Sequence, residues 1–169
     1  LGKSWDTELS YNENRYEISP STSFANIFVN FEQGYKYTKS SRKSFSQLFK
    51  RDLGDKHNLT LGYDWEKLDS IPLTPDLPSP YQTNTAYNLQ NLYFANTNEQ
   101  IQVPIFHSRW KSYSYFAQLQ SQINEEFSTT LGLRYDKTSI YQSTFNPRLS
   151  LVYQPAQDLA LKISYGEAF

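Results

Sequence analysis

The sequence predicts an all-β protein, an antiparallel up-and-down transmembrane β-barrel segment of about seven strands, with short periplasmic turns and long extracellular loops. Three observations carry this. Polar and apolar residues alternate with a period of two along most of the chain, tight turns and long polar connections alternate between the strands, and same-face aromatic residues recur at a spacing that matches a bilayer. A helix would repeat its apolar positions every 3.6 residues, and period two prevails almost everywhere.

The strands follow in order. The first sets Trp5, Thr7, Leu9 and Tyr11 against Ser4, Asp6, Glu8 and Ser10. The stretch from about Lys39 to Asp52 alternates least clearly: Phe45 and Phe49 share a face with Gln47, and Leu48 falls on the other. The third opposes Leu59, Leu61, Tyr63 and Trp65 to Asn58, Thr60, Gly62, Asp64 and Glu66. From Ser112 to Ile123 the apolar face carries Tyr113, Tyr115, Ala117 and Leu119, and only Phe116 and Ser121 break the pattern. The fifth sets Phe127, Leu131, Leu133 and Tyr135 against Ser128, Thr130, Gly132, Arg134 and Asp136. The sixth runs from Phe145 to Gln154, and the seventh carries Leu159, Leu161, Ile163 and Tyr165.

Tight reversals are expected at DLGDK (52–56), INEEF (123–127) and QPAQD (154–158), which hold the Asp, Gly, Pro, Asn and Glu residues that turns use. The connections 18–38 and 69–108 are long and rich in Pro, Asn, Thr and Tyr, while 137–144 is shorter. Outer-membrane barrels keep short turns on the periplasmic side and long loops outside, an asymmetry that a soluble sandwich does not require. Within 22–37, Ala25, Ile27, Val29, Phe31, Tyr35 and Tyr37 alternate and could form a further strand. Phe127 and Tyr135 lie eight residues apart on one face, which at about 3.3 Å per residue and roughly 40° of tilt separates them by about 20 Å, near the spacing of two aromatic girdles.

Composition bounds the function. The 169 residues suit one domain, and no run of 18 apolar residues exists to form a transmembrane helix. Hydrophobic residues are 38% and mean hydropathy is -0.69, yet aromatics reach 17%, so amphipathic rings carry much of the apolar area. A net charge of -1 favours neither a nucleic-acid partner nor an acidic substrate. Zero Cys excludes disulfides and thiolate chemistry, and two distant histidines, His57 and His107, argue against a zinc site. No cofactor is expected. The opening LGKSWD has no basic or apolar region of a secretion signal, so the N-terminus of an exported protein would lie elsewhere.

No nucleophile elbow, phosphate loop, dinucleotide turn or zinc helix occurs. Asp64 and Glu66 point the same way about 7 Å apart, a spacing seen in inverting glycosidases, but paired acids on a polar strand face read first as lumen lining, and no enzyme is expected. Asn58-Leu59-Thr60 matches a glycosylation sequon that has no meaning in a bacterial barrel. Between Gln33 and Arg51 stand Lys36, Lys39, Arg42, Lys43, Lys50 and Arg51 with no acid, interleaved with Tyr35, Tyr37, Phe45 and Phe49. Such a stretch suits a solvated loop, contact with anionic lipopolysaccharide, or single-stranded nucleic acid, in that order. The loop 69–108 carries rings at Tyr81, Tyr87, Tyr93, Phe94 and Phe106 beside many amides, the groups that grip small chelates and sugars or pack loops together.

Particular strings add to the pattern. TLGLRYD (130–136) after YFAQLQSQINEEFS, and FNPRLSLVYQPAQDLALKISYGEAF (145–169), resemble the strand-turn-strand stretches of TonB-dependent outer-membrane receptors, and HNLTLGYDWEK (57–67) fits an earlier strand of that family. The resemblance covers about 57–69 and 108–169 well, and 1–56 by pattern alone. It implies uptake of a scarce ligand such as a ferric siderophore or cobalamin, through a 22-stranded barrel plugged by an N-terminal domain and energised by TonB. Residues 1–169 would then be part of one β-barrel domain of a receptor about four times longer, whose plug and remaining strands lie outside this chain. Expected ligand contacts are Tyr81, Tyr87, Tyr93, Phe94 and Trp110, with the lumen groups Arg134, Asp136 and Arg148. Outer-membrane lipid and lipopolysaccharide would surround it, with no nucleic acid and no metal. A small self-closing outer-membrane barrel, porin-like or adhesive, and a soluble carbohydrate-binding β-sheet module are the alternatives.

Overall fold

A computed structural model describes residues 4–85, 90–94 and 97–167. In chain order it contains β1 (Asp6–Glu17), the short strands β2 (Ser23–Asn26) and β3 (Glu32–Tyr35), and the long strands β4 (Lys39–Leu53) and β5 (His57–Ile71). The short strands β6 (Gln90–Tyr93) and β7 (Gln100–Val103) follow, then β8 (Ser108–Gln122), β9 (Phe127–Thr138), β10 (Thr144–Ala156) and β11 (Leu159–Gly166). The seven long strands form one sheet in the order β1-β4-β5-β8-β9-β10-β11, and β2–β3 and β6–β7 are separate two-stranded pairs. Each long strand therefore neighbours the next one in sequence, which is the up-and-down meander of a β-barrel segment.

All three tight reversals fall where the turn residues stand. Gly54, between β4 and β5, has φ +76°, a left-handed value that a side chain would oppose. Between β8 and β9 the Asn124 carboxamide oxygen accepts from the amides of Glu126 and Phe127 at 2.9 and 2.8 Å, so one side chain builds the turn. Tight turns fix register: Tyr115 faces Tyr135 and Leu119 faces Leu131 across β8–β9, and Leu131 faces Leu149 across β9–β10.

The stretch 22–37 is not an eighth sheet strand. Ile27–Val29 form one 3-10 turn, capped by Asn26 Oδ1 accepting from the Phe28 amide at 3.1 Å. Asn30 and Phe31 then take positive φ of 53° and 59°, and the chain returns as β3. The apolar alternation over this stretch is thus interrupted by a reversal that Asn26 and Asn30 make, because their short amides cap and tolerate left-handed backbone. At the other uncertain place, the poorly alternating stretch from Lys39 is strand β4 throughout.

The chain divides into two compact units. The first comprises Leu1–Asn12, Ser44–Glu66 and Lys111–Phe169, and the second Glu13–Lys43 and Lys67–Trp110. In the first, the odd-numbered face of β9 is open: Leu131 and Leu133 are each 50% exposed, while Thr130, Gly132 and Arg134 opposite are more covered. Leu149, Leu161 and Ile163 are exposed as well. An apolar face turned outward beside a sheltered polar one is inverted for a water-bathed domain and correct for a strand bathed in hydrocarbon. The buried hydrophobic residues among those described, Val29, Tyr37, Ile71, Leu77, Tyr81 and Ile105, all belong to the second unit.

Candidate functional site

In the first unit the polar face gathers around Asp136. Register places Ser114 of β8 directly opposite Asp136 and Asn146 of β10 opposite Arg134, so four polar side chains converge from three strands. Arg134 Nε donates to both Asp136 oxygens at 3.0 Å, and its Nη2 donates to Ser114 Oγ at 2.9 Å. The Ser114 hydroxyl donates to Asp136 Oδ1, and Asn146 Nδ2 reaches Oδ2 at 3.5 Å. Asp64 of β5 stands 3.9 Å from Arg134 Nη1. Ser114 and Asn146 are buried, and each buried polar atom has a partner here, which is the condition for such a cluster to be stable.

Phe116, the aromatic that breaks the polar face of β8, belongs to the same cluster. Its ring lies 5.8 Å from the Arg134 guanidinium carbon, and a Cβ placed on Gly62 of β5 would collide with it. The glycine admits the ring, and the ring covers a backbone left bare by the glycine. Farther along this face Arg148 pairs with Gly132 on one side and Gly166 on the other, and its aliphatic stem lies over both.

The second unit has its own small core, formed by Tyr37, Ile71, Leu77, Tyr81 and Ile105. The rings of Tyr37 and Tyr81 stack with centroids 4.1 Å apart at 10°. Tyr37 donates its hydroxyl to Glu17 at 2.7 Å, and burial together with that carboxylate holds its ionisation well above the ordinary value of 10.0. Burial raises Tyr81 likewise. Beside these rings a cavity of about 630 Å³ is lined by Arg15, Lys39, Lys43, Lys67 and Arg109, with Glu17, Asp69 and His107 among the other lining groups. His107 Nε2 lies 2.7 Å from Asp69, Arg109 lies 3.3 Å from the second oxygen, and Glu13 pairs with Arg15 and Lys43. Five cations thus face a smaller number of carboxylates.

The residues expected to contact a ligand are distributed between these places. Arg134 and Asp136 are brought together, and Arg148 is on the same face. Tyr81 is buried in the core and lines the cavity. Tyr93 donates its hydroxyl to the Gln33 carbonyl at 3.2 Å, and Phe94 is 46% exposed just after β6. Trp110 is half-buried on β8, and Tyr87 lies outside the described residues. Of the basic run, Lys39 and Lys43 line the cavity, whereas Lys36 pairs with Asp76 at 3.3 Å, Lys50 with Glu8 at 2.6 Å, and Arg51 lies over the Trp5 ring at 5.4 Å. Ser114 and Asn146 were not singled out by their own sequence context, and Phe116 stood out only as a break in the alternation of its strand. The signal that finds them is register, counted outward from the turn at 123–126 and the connection at 139–143. Among the described residues no group of three or more His, Asp or Glu side chains could hold a metal ion.

A family model described as TonB dependent receptor-like, beta-barrel, matches residues 1–169. No curated protein and no solved structure matches the chain.

Proposed function

The chain belongs to the TonB-dependent receptor β-barrel family of the bacterial outer membrane, and from that membership we propose that it is part of a receptor that takes up a scarce ligand, a ferric siderophore or cobalamin, with energy supplied through TonB. Within that reading residues 1–169 contribute strands to one barrel domain, and the plug and the other strands come from the remainder of a longer protein. The observation that carries the reading is the inverted sheet. Leucines and rings are open on the odd-numbered face, and a satisfied network around Asp136 occupies the other. Polar groups held by one another offer a wet passage hydrogen-bonding surface without any single tight site, as a wall along which a polar chelate passes requires.

The exposed ring of Phe94 and the hydroxyl-anchored ring of Tyr93 are the loop aromatics we assign to first contact, with Trp110, Arg134, Asp136 and Arg148 on the strands. Uptake of radiolabelled iron, supplied as a catecholate or a hydroxamate chelate, and of labelled cobalamin tests the proposal in cells lacking the receptor gene. Restoring the gene restores uptake of one of these probes, and inactivating TonB abolishes it. Equal uptake of all three with and without the gene refutes the reading.

A further inference from the structure

One strand places an amide where its neighbours place apolar groups. On β4 Phe45 and Phe49 flank Gln47, and Leu48 falls on the other side. Ring contacts settle which face this is. Phe45 lies 6.1 Å from Tyr63, Tyr63 lies 5.1 Å from Tyr115, and Phe49 meets Trp5 edge-on at 6.4 Å, centroid to centroid. Tyr115 faces Tyr135 across β8–β9, so these rings share the odd-numbered face that carries the exposed leucines. Lys50 reaches Glu8 of β1 at 2.6 Å on the opposite face, as even positions should. All of these residues belong to the first unit.

Gln47 is therefore turned toward lipid. Phe45 stands about 5 Å above it along the membrane normal and Phe49 about 5 Å below, one same-face step each way at roughly 40° of tilt. At odd positions the neighbouring strands carry Leu61, Leu119, Leu131, Leu149 and Leu161. Gln47 is the one carboxamide at an odd strand position among the described residues of the first unit, and among the described residues no hydrogen bond engages its side chain. A carboxamide carries two N–H donors and two acceptor lone pairs, and hydrocarbon satisfies none of them. Leucine would suit lipid better, so the amide answers to something other than acyl chains.

We propose that a second copy of the receptor docks on this face, with Gln47 of each copy against that of the other across a two-fold axis. Both copies sit in one membrane with their loops on the same side, so the axis runs along the membrane normal and every residue keeps its depth in the other copy. A group close to that axis must complement itself. Two like charges would repel there, whereas two carboxamides exchange a pair of N–H to O bonds. Thr7 of β1 shares the face, and its hydroxyl also both donates and accepts. Around these groups Trp5 and Leu9, 41% and 63% exposed, give the copies apolar surface to pack. Acyl chains match such packing equally well, so the amide pair selects the contact. The inference rests on the outer face of the barrel and holds whichever ligand the receptor imports.

The complete receptor carrying Gln47→Cys as its only cysteine supplies the first test, and this chain contributes no other. Oxidation in outer membranes joins two receptors through that residue and gives a band at twice the receptor's mass, while Leu131→Cys on β9 gives none. A benzophenone maleimide attached at the same cysteine and illuminated joins a second receptor as well. The second test follows energy transfer between donor-labelled and acceptor-labelled receptors in phosphatidylcholine vesicles as lipid is added. Losing the two amide bonds weakens association of Gln47→Leu about eightfold, and Gln118→Leu, which removes an amide from the even-numbered face of β8, leaves it unchanged. Absence of the disulfide-linked dimer, or equal association of wild type and a folded Gln47→Leu, overturns the proposal. Photochemical capture of a protein of another mass, or of lipid alone, overturns the second copy as occupant. If Gln47→Leu fails to fold, the two cross-links decide.

Discussion

Replacing Leu133 by Arg destabilises the membrane-embedded barrel by about 2–4 kcal/mol, whereas Thr130→Arg on the same strand costs about 0.5 kcal/mol or less. The difference comes from depth, exposure and neighbours. Leu133 lies six residues beyond Phe127 and two before Tyr135, about 15 Å from the first ring along the membrane normal at roughly 40° of tilt, inside an apolar band about 25 Å tall. Half of its surface is open, so lipid chains are what a new guanidinium would meet. Its partners across the ladders are Ala117 of β8 and Pro147 of β10, neither with a side-chain acceptor. Thr130 instead faces Gln120 and Ser150, on the face where water and polar groups are at hand. Equilibrium urea unfolding of the receptor in phosphatidylcholine vesicles measures both, and Phe127→Arg and Tyr135→Arg, at the two ends of the band, should cost about 0–1 kcal/mol. Equal costs at Leu133 and Thr130, or a maximum at the ends instead of the middle, would refute both the assignment of faces and the register.

Gly62→Leu forces a side chain into the Phe116 ring and should cost about 1–3 kcal/mol as overpacking; in a double-mutant cycle Phe116→Ala should recover most of it, which urea midpoints measure. Asp136→Ala leaves Arg134 and Ser114 without their shared acceptor and should cost about 1–3 kcal/mol by the same measurement, with Asp136→Asn milder because an amide oxygen still accepts. Tyr37 has its ionisation raised in the folded state, so it favours folding fully below about pH 10, where the unfolded chain still keeps its proton, and that contribution is lost as pH rises toward the higher folded value. Alkaline unfolding monitored by tyrosinate absorbance should therefore be shallower in Tyr37→Phe than in the wild type.

The sheet was legible because its two determinants are local. Period-two alternation assigns each residue a face, and the tight turns at Gly54, Asn124 and Asp158 fix where each hairpin reverses. The same logic reaches Arg134 and Asp136, which sit on the polar parity, but the buried partners that bind them emerge only when β8, β9 and β10 are aligned in register. Phe116 was a flaw in its strand until Gly62 on the adjacent strand explained it. The loops resisted reading for a different reason. Tyr37 and Tyr81 stand far apart in sequence and stack through a fold that no period encodes, and the alternation of Ala25, Ile27 and Val29 had no means of announcing the reversal at Asn30 and Phe31. The cation-lined cavity was half visible, since Lys39 and Lys43 belonged to the basic run while Arg15, Lys67 and Arg109 came from three other strands.

The unequal connections also set an order of assembly. Closing the strand pair across 123–126 or 157–158 fixes only a few residues, whereas bringing β4 to β1 across 18–38 costs about 1.5 kcal/mol more chain entropy, and β8 to β5 across 72–107 about 2 kcal/mol more. Local pairs therefore form first: β4 with β5, and β8 through β11 as one run. The small hairpins within the long connections then act on the rate. When Ser23 is held against Tyr35, most of the first connection is already closed, and holding Gln90 against Val103 takes 14 of the 36 residues of the second out of the search. Deleting either hairpin while keeping the connection's length would leave the finished sheet as stable as before but slow the joining of its pieces.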